Sequence, residues 1–151
     1  MSDRRLVVGV YQTVVVGTDG SDSSFHAVER AAEVAHESAA KLVILCAYGD
    51  EYKAIGRSFA PDDPDPAGPS EDAVRVATER AAARGASNIE QVVVEGDPVK
   101  ALLSVLSEHD ADLLVVGNKG LNKIAGRLLG SVPADVSRRA PCDVLIVHTV
   151  P

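Results

Sequence analysis

The chain has few of the side chains that bind nucleic acid. It contains no tryptophan, and aromatic residues make up only 3% of its 151 residues. A stacking surface for unpaired bases needs several exposed aromatic rings. The formal net charge is -7, whereas phosphate contacts along a duplex need a basic face. We therefore expect no nucleic-acid partner.

Long apolar runs and metal-ligand patterns are also missing. No run approaches the ~20 residues that a membrane span requires, so we expect no membrane partner. The two cysteines, Cys46 and Cys142, do not form a C-x-x-C pair, and the four histidines lack zinc-site spacing. We predict free thiols, a cytoplasmic location and no metal bound by the protein alone.

Apolar, β-branched runs alternate with segments of helical periodicity along the chain. Strands that are apolar on both faces are typical of a sheet covered by helices on both sides. The sequence therefore predicts an α/β fold with an open, doubly wound, five-stranded parallel sheet. The predicted strands are 13–18, 41–48, 89–96, 111–117 and 142–149. The first helix has its cap among Ser21, Asp22 and Ser23, which are better placed for it than Asp19. The second begins near Ser70, with Ser70 or Asp72 as cap, and ends at Gly85; the third has Asp97 as cap, and the fourth begins near Ser131.

A chain of 151 residues favours one domain. We assign residues 12–151 to that domain and residues 1–11 to an irregular N-terminal extension, which lacks the long apolar segment of a signal peptide. Residues 49–69 are rich in proline and glycine and predict a loop, which is either a lid or a tolerated insertion.

One glycine-rich segment stands out because it is basic in an acidic chain. It follows the fourth strand with the spacing Gly117-x2-Gly120-x9-Gly130-Ser131. This spacing matches neither the P-loop nor the G-x-G-x-x-G dinucleotide pattern. Glycine lets backbone N–H groups approach an anion, and Ser131 opens a helix whose first N–H groups lack internal partners. The segment predicts a phosphate cradle, with positive charge from Lys119, Lys123 and Arg127.

The ends of the first and second strands carry further candidate ligand groups. In open α/β sheets, ligands bind beyond the carboxyl ends of the strands, where the strand order reverses. If the first and fourth strands are neighbours, Asp19 and Gly117 face each other across one crevice. Asp19 could accept a hydrogen bond from a ribose hydroxyl or hold Mg²⁺ with a nucleotide. The main chain at Ala47 leaves room for a flat adenine base.

The glycine spacing, together with "VVVGTDGS" at the first strand, resembles the universal stress protein family over residues 12 to 150. The resemblance is to the ATP-binding branch of that family and to its actinobacterial members, some of which bind cyclic AMP. It implies strand order 3-2-1-4-5 and a homodimer paired through the last strand. It also implies a stress-response or signalling module that binds ATP, AMP or cyclic AMP, with Mg²⁺ accompanying ATP.

Residues of the family's nucleotide site carry over by position. Pro133 departs from the Ser or Thr often found there and removes one hydroxyl contact to phosphate. Lys119 keeps the positive charge of the His or Arg that is common at its position. The implied nucleotide-binding residues are Gly17, Thr18, Asp19, Ala47, Val116, Gly117, Lys119, Gly120, Gly130, Ser131 and Val132.

Two alternative functions remain open at this stage. One is a dimeric scaffold that binds no nucleotide and whose glycine segment is inert. The other is a phospho-accepting receiver domain, for which Asp19, Asp22 and Asp97 lie at suitable strand ends. The last strand has no lysine after it, which such a domain needs. The sequence assigns no catalytic residue and allows at most slow ATP hydrolysis or autophosphorylation.

Overall fold

The structure is a computed structural model that describes residues 9–49, 67–118 and 131–149, without the side chain of Ser131. Within these ranges, strands and helices alternate as predicted. Most of the predicted loop 49–69 lies outside the described residues. The elements are β1 (Thr13–Gly17), α1 (Asp22–Ser38), β2 (Lys41–Gly49), α2 (Gly68–Ala83), β3 (Ile89–Gly96), α3 (Pro98–Glu108), β4 (Leu113–Gly117), α4 (Ser131–Arg139) and β5 (Asp143–Val147).

All five strands belong to one parallel sheet in the order β3-β2-β1-β4-β5. This confirms the predicted fold and strand order. β1 lies at the centre, where Val15 is paired with Val43 of β2 and with Leu114 of β4. The chain moves outward from β1 to β3 and then returns to β4. The strand order therefore reverses between β1 and β4, and their carboxyl ends flank a crevice of the kind that binds ligands.

Two apolar cores lie on opposite faces of the sheet, because side chains alternate along each strand. Val14 and Val16 face α1 and α2, where Val28 belongs to the same cluster. Val15 points the other way and packs in the cluster that contains Leu102 of α3. Each of these side chains is at most 1% exposed. The continuous apolar runs of the sequence are thus explained by burial on both faces.

Helices α1 and α3 begin at the predicted capping residues. The Ser21 side chain accepts a hydrogen bond from the Ser24 N–H at 3.1 Å. The Asp97 side chain accepts one from the Lys100 N–H at 3.0 Å. Each cap satisfies a backbone donor that has no partner inside the helix.

Helix α2 begins earlier than the sequence predicted. Its N-cap is Ala67, without a side-chain hydrogen bond, and a proline occupies its first turn. The prediction that Ser70 or Asp72 caps this helix was wrong, because Pro69 has the backbone angle and the missing N–H that suit a helix start. Gly85 follows the helix with φ of +101°, which confirms the predicted end.

Part of the N-terminal extension packs against the amino ends of the strands. The Tyr11 hydroxyl donates to Asp143 at 2.9 Å. This hydrogen bond, together with burial and the charge of Asp143, raises the pKa of Tyr11. The Asp112 carboxylate accepts hydrogen bonds from the N–H groups of Gln12 and Thr13, each at 3.0 Å. Residues 1–8 lie outside the described residues.

Cys46 is buried and Cys142 is partly buried, and neither belongs to a disulfide. Within the described ranges, no cluster of three or more His, Cys, Asp or Glu side chains could hold a metal ion. The helices in those ranges are also too short or too polar to cross a membrane.

Candidate functional site

The candidate site lies at the carboxyl ends of β1, β2 and β4. After β1 ends at Gly17, the Thr18 N–H still donates to the Leu45 carbonyl at 2.9 Å. The chain then turns through Asp19 and Gly20, which has φ of +84°, into α1. This turn places Asp19 at the point where the strand order reverses.

The side chain of Thr18 is turned into the protein and not toward the crevice. It is 1% exposed, and its Oγ1 accepts from the Gly20 N–H at 3.1 Å. Its Oγ1 also lies 2.6 Å from Ser24 Oγ. Ser24 Oγ donates to the Ser21 carbonyl at 2.9 Å, so the Thr18 hydroxyl is the donor between the two. The hydroxyl proton is therefore used inside the turn and the side chain is buried, so the main chain is the part of Thr18 that is available to a ligand.

Asp19 has one carboxylate oxygen paired and one unpaired. Its Oδ1 accepts from the Ser21 N–H at 2.9 Å, which closes the turn. Its Oδ2 is buried and has no hydrogen-bond partner among the described residues. A buried carboxylate oxygen without a partner is costly, and such groups normally meet a donor or a cation. As the sequence predicted, the helix cap is Ser21 and not Asp19.

Ala47 lies on β2 beyond the end of β1. Leu45 directs its carbonyl toward β1, since that oxygen accepts from Thr18. Backbone groups alternate in direction along a strand, so the N–H and C=O of Ala47 lie on the same side as those of Leu45. The β1–β2 pairing ends at Leu45, and Ala47 instead borders a small apolar pocket. This pocket is lined by Gly17, Thr18, Leu45, Ala47, Pro98 and Leu102.

Gly117 ends β4 and packs closely against the chain after β5. A Cβ on Gly117 would lie 3.0 Å from Thr149 Cγ2 and 3.6 Å from the Ala27 Cβ. Close packing is therefore a sufficient reason for glycine at this position. It acts in addition to the reason predicted from the sequence, which is that glycine lets the backbone N–H groups approach a phosphate. The preceding Val116 is buried on the opposite face, in the cluster that includes Val132 of α4.

Two residues that the sequence reasoning missed hold Gly117 in place. Asn118 Oδ1 accepts from the Thr149 N–H at 2.9 Å and from Thr149 Oγ1 at 2.8 Å. Thr149 Oγ1 lies 2.6 Å from Ser23 Oγ on α1. An Asn after the strand-ending glycine and a Thr after the last strand were the available signals. Only the sheet order brings them together.

Six of the predicted site residues lie together at the carboxyl ends of β1, β2 and β4. They are Gly17, Thr18, Asp19, Ala47, Val116 and Gly117. α4 begins at Ser131, and Val132 is fully buried. Lys119, Gly120 and Gly130 lie outside the described residues, as do Lys123 and Arg127. The structure therefore describes only the two ends of the predicted phosphate cradle, and the cradle itself stays a prediction.

A larger cavity lies elsewhere, between α1 and the end of β5. It has a volume of about 440 Å³ and is lined by charged and histidine side chains together with the end of β5. Its charged residues pair with one another: Arg84 contacts Glu29 at 3.2 Å and Glu33 at 2.7 Å. Because these charges neutralise one another, we assign the candidate site to the strand ends and not to this cavity.

A five-stranded sheet of order 3-2-1-4-5 defines a doubly wound α/β protein, and its crevice at the reversal point is where proteins of this class bind their ligands. Within that class, the model described as "Universal stress protein family" matches residues 10–148. The chain belongs to the universal stress protein family.

Individual relatives agree over nearly the whole chain. A universal stress protein of Mycobacterium tuberculosis is 51% identical over 94% of this chain and 99% of its own length. A universal stress protein crystallised in complex with cAMP is 53% identical, with a TM-score of 0.74 over 94% of this chain and 100% of its own. UspA from Lactobacillus plantarum is 26% identical, with a TM-score of 0.75 over 93% of this chain and 99% of its own.

Proposed function

We propose that this universal stress protein binds an adenine nucleotide at the carboxyl ends of β1, β2 and β4. The single observation that carries the proposal is the buried Oδ2 of Asp19, which has no hydrogen-bond partner among the described residues. A ribose hydroxyl supplies the donor that this oxygen needs. The cAMP complex of a 53% identical relative supports the same ligand class.

The adenine base is assigned to the crevice above the small pocket beside Ala47. With a volume of about 10 Å³ the pocket holds no base itself, and its lining forms an apolar floor for one. The pocket lining is mostly apolar, with Leu45, Pro98 and Leu102 beside the main chain of Gly17 and Thr18. An apolar niche with main-chain groups at one side suits a flat base whose edge forms hydrogen bonds. Ala47 contributes its backbone groups, and its small side chain leaves the approach open.

The phosphate is assigned to the far side of the crevice. Gly117 and Val116 form one end of the cradle, and the first turn of α4, at Ser131 and Val132, forms the other. The helix N-terminus offers N–H groups to an anion. Lys119, Gly120 and Gly130 complete the proposed cradle on the evidence of their spacing.

Among adenine nucleotides, cyclic AMP and AMP are the preferred ligands in this proposal. Pro133 provides no hydroxyl where a Ser or Thr would add a phosphate contact, which favours a ligand with fewer phosphates than ATP. Mg²⁺ is expected only together with ATP, with Asp19 as a ligand to it. The proposal assigns a binding role and no catalytic residue.

A homodimer paired through β5 forms the second part of the proposal. β5 is an edge strand of the sheet, and Ile146 on it is 45% exposed. An uncovered edge with an exposed apolar side chain is suited to pairing with a second strand. Sedimentation equilibrium of the wild type and of an Ile146→Lys variant tests this part. A dimer that survives unchanged in the variant argues against it.

Calorimetric titration of the purified, nucleotide-free protein with cAMP, AMP and ATP, with and without Mg²⁺, tests the proposed function. The expected order of affinity places cAMP and AMP ahead of ATP. Replacing Gly120 or Gly130 by Leu should abolish binding and leave the dimer intact. If none of the three nucleotides binds, the chain is instead a scaffold and the proposal is wrong.

A further inference from the structure

The start of the glycine segment is tied to two other elements by an ordered chain of hydrogen bonds. Thr149 has a single hydroxyl proton, and its Oγ1 donates to Asn118 Oδ1 at 2.8 Å. The 2.6 Å contact between Thr149 Oγ1 and Ser23 Oγ must therefore have Ser23 as the donor. The direction of each hydrogen bond is thus fixed from Ser23 through Thr149 to Asn118.

Asn118 receives a second hydrogen bond in this network and is held on its main chain as well. The Thr149 N–H donates to the same Oδ1 at 2.9 Å. The Asn118 N–H donates to the Val147 carbonyl at 2.9 Å. Together these bonds join the end of β4 to the chain after β5, and Ser23 joins both to the first turn of α1.

The network is centred on a buried side chain, and its outer members Ser23 and Asn118 are half-buried. Thr149 is only 8% exposed, and its methyl carbon sits against Gly117. Hydrogen bonds that are shielded from water hold a geometry more firmly than exposed ones. Gly117, the first residue of the proposed phosphate cradle, is therefore fixed by Thr149 through packing and by Asn118 through the adjoining peptide.

We propose that Asn118 and Thr149 are positioning residues for nucleotide binding, which set the path of the main chain where it enters the phosphate cradle. This inference rests on the proposed function, because it assigns the network a role at that same site. The two residues do not touch the ligand. They hold the main chain at Gly117 and Asn118 in place before the ligand arrives, which lowers the entropy cost of binding.

Two variants of Thr149 distinguish the contribution of its hydroxyl to nucleotide binding from that of its methyl group. Thr149→Val keeps a methyl group beside Gly117 and loses both hydroxyl hydrogen bonds. Thr149→Ser keeps the hydroxyl and loses the methyl group. We expect Thr149→Val to weaken cAMP binding by roughly 5- to 10-fold, the equivalent of one to two net hydrogen bonds. Thr149→Ser should bind within about 2-fold of the wild type.

Thr78→Val is the matched control for a merely structural effect. Thr78 lies on α2, where its hydroxyl donates to the Val74 carbonyl at 2.7 Å and accepts from Gln91 at 2.9 Å. It therefore also loses two hydroxyl hydrogen bonds, far from the candidate site. We expect Thr78→Val to lower the melting temperature and leave the affinity for cAMP unchanged.

Amide hydrogen exchange gives a readout that does not depend on any nucleotide. In the free protein, the amides of Asn118 and Thr149 should exchange slowly in the wild type and in Thr149→Ser, and at least 5-fold faster in Thr149→Val. Unchanged exchange in Thr149→Val overturns the inference, whatever the nucleotide result. Faster exchange with wild-type affinity for cAMP also overturns it. Faster exchange in a protein that binds no nucleotide refutes the proposed function and, with it, the positioning role.

Discussion

Gly117 and Thr149 are packed so closely that a single methyl group on Gly117 would press on the threonine. The Cβ of an alanine at this position would lie 3.0 Å from Thr149 Cγ2. Gly117 ends β4, and Thr149 lies two residues after the end of β5. The contact joins the entry of the proposed phosphate cradle to the end of the sheet.

Gly117→Ala should destabilise the protein by roughly 1–2 kcal/mol, because an extra methyl group in a packed region forces its neighbours to shift. Removing the opposing methyl group should relieve this cost. We therefore expect the penalty of Gly117→Ala to be smaller in a Thr149→Ser background, as measured by urea unfolding of the four proteins. Equal penalties in both backgrounds would show that the contact does not limit residue size at position 117.

Gly126 provides a comparison within the same segment, although it lies outside the described residues. It falls outside the spacing of Gly117, Gly120 and Gly130. We expect Gly126→Ala to bind cAMP like the wild type, whereas alanine at the other three glycines should weaken binding. Equal loss of affinity at all four positions would mean that the segment needs its glycines for folding and not for phosphate.

Gly85→Ala should be destabilising at the end of α2. Gly85 has φ of +101°, and a Cβ there would lie 2.8 Å from His36 Cγ. Backbone strain and the clash together should cost about 2 kcal/mol. In a His36→Ala background the clash disappears and the strain remains, so the cost should fall by about half. Thermal unfolding of the single and double variants checks this, and an unchanged cost would contradict the role of His36.

Glu90 should make stability depend on pH in the acid range. The hydrogen bond from Lys41, at 2.7 Å, followed by the charges of Lys41 and His109, holds the pKa of Glu90 below its ordinary value of 4.5. A carboxyl whose pKa is lowered by folding stabilises the native state above its unfolded pKa, and this contribution disappears as pH falls through the folded pKa.

The test compares Glu90→Gln with the wild type by urea unfolding between pH 7 and pH 3. The variant should be less stable at pH 7, and the difference should shrink below about pH 4.5. In a Lys41→Met background the effect of Glu90→Gln at pH 7 should be smaller than in the wild-type background. A difference that stays constant through the acid range would show that Glu90 acts through packing and not through its charge.

The fold could be predicted from the sequence because burial leaves a clear pattern. β1 and β4 are covered on both faces, and each therefore contains an uninterrupted apolar run, 14–16 in β1 and 113–116 in β4. The capping residues Ser21 and Asp97 were also identifiable, because their side chains act within three residues of chain. The start of α2 was not, because Ser70 and Asp72 fit a cap as well as Pro69 fits a first turn.

The candidate site could be predicted only in part. Asp19 was identifiable because better capping residues follow it directly. The inward turn of the Thr18 hydroxyl depends on Ser24, and sequence spacing does not show which way a side chain points. The pairing of Asn118 with Thr149 joins residues separated by 31 positions. Hydropathy does not encode such a contact, which follows from the sheet order.

The most direct test of the account asks whether the buried oxygen of Asp19 holds the ribose. Asp19→Asn keeps one side-chain oxygen, which can still accept from the Ser21 N–H. It replaces Oδ2, the carboxylate oxygen without a partner among the described residues, by an NH₂ group. Binding of cAMP and of 2′-deoxy-cAMP to the wild type and to this variant forms a double-mutant cycle.

Calorimetry of these four combinations measures the coupling. The account predicts that the wild type loses about 10-fold in affinity when the 2′-hydroxyl is removed, as for one charge-assisted hydrogen bond. The Asp19→Asn variant should bind both ligands with nearly equal, weakened affinity. Two results would contradict the assignment of Asp19 to the ribose. One is that both proteins lose the same affinity when cAMP is replaced by 2′-deoxy-cAMP. The other is that the variant binds cAMP with wild-type affinity.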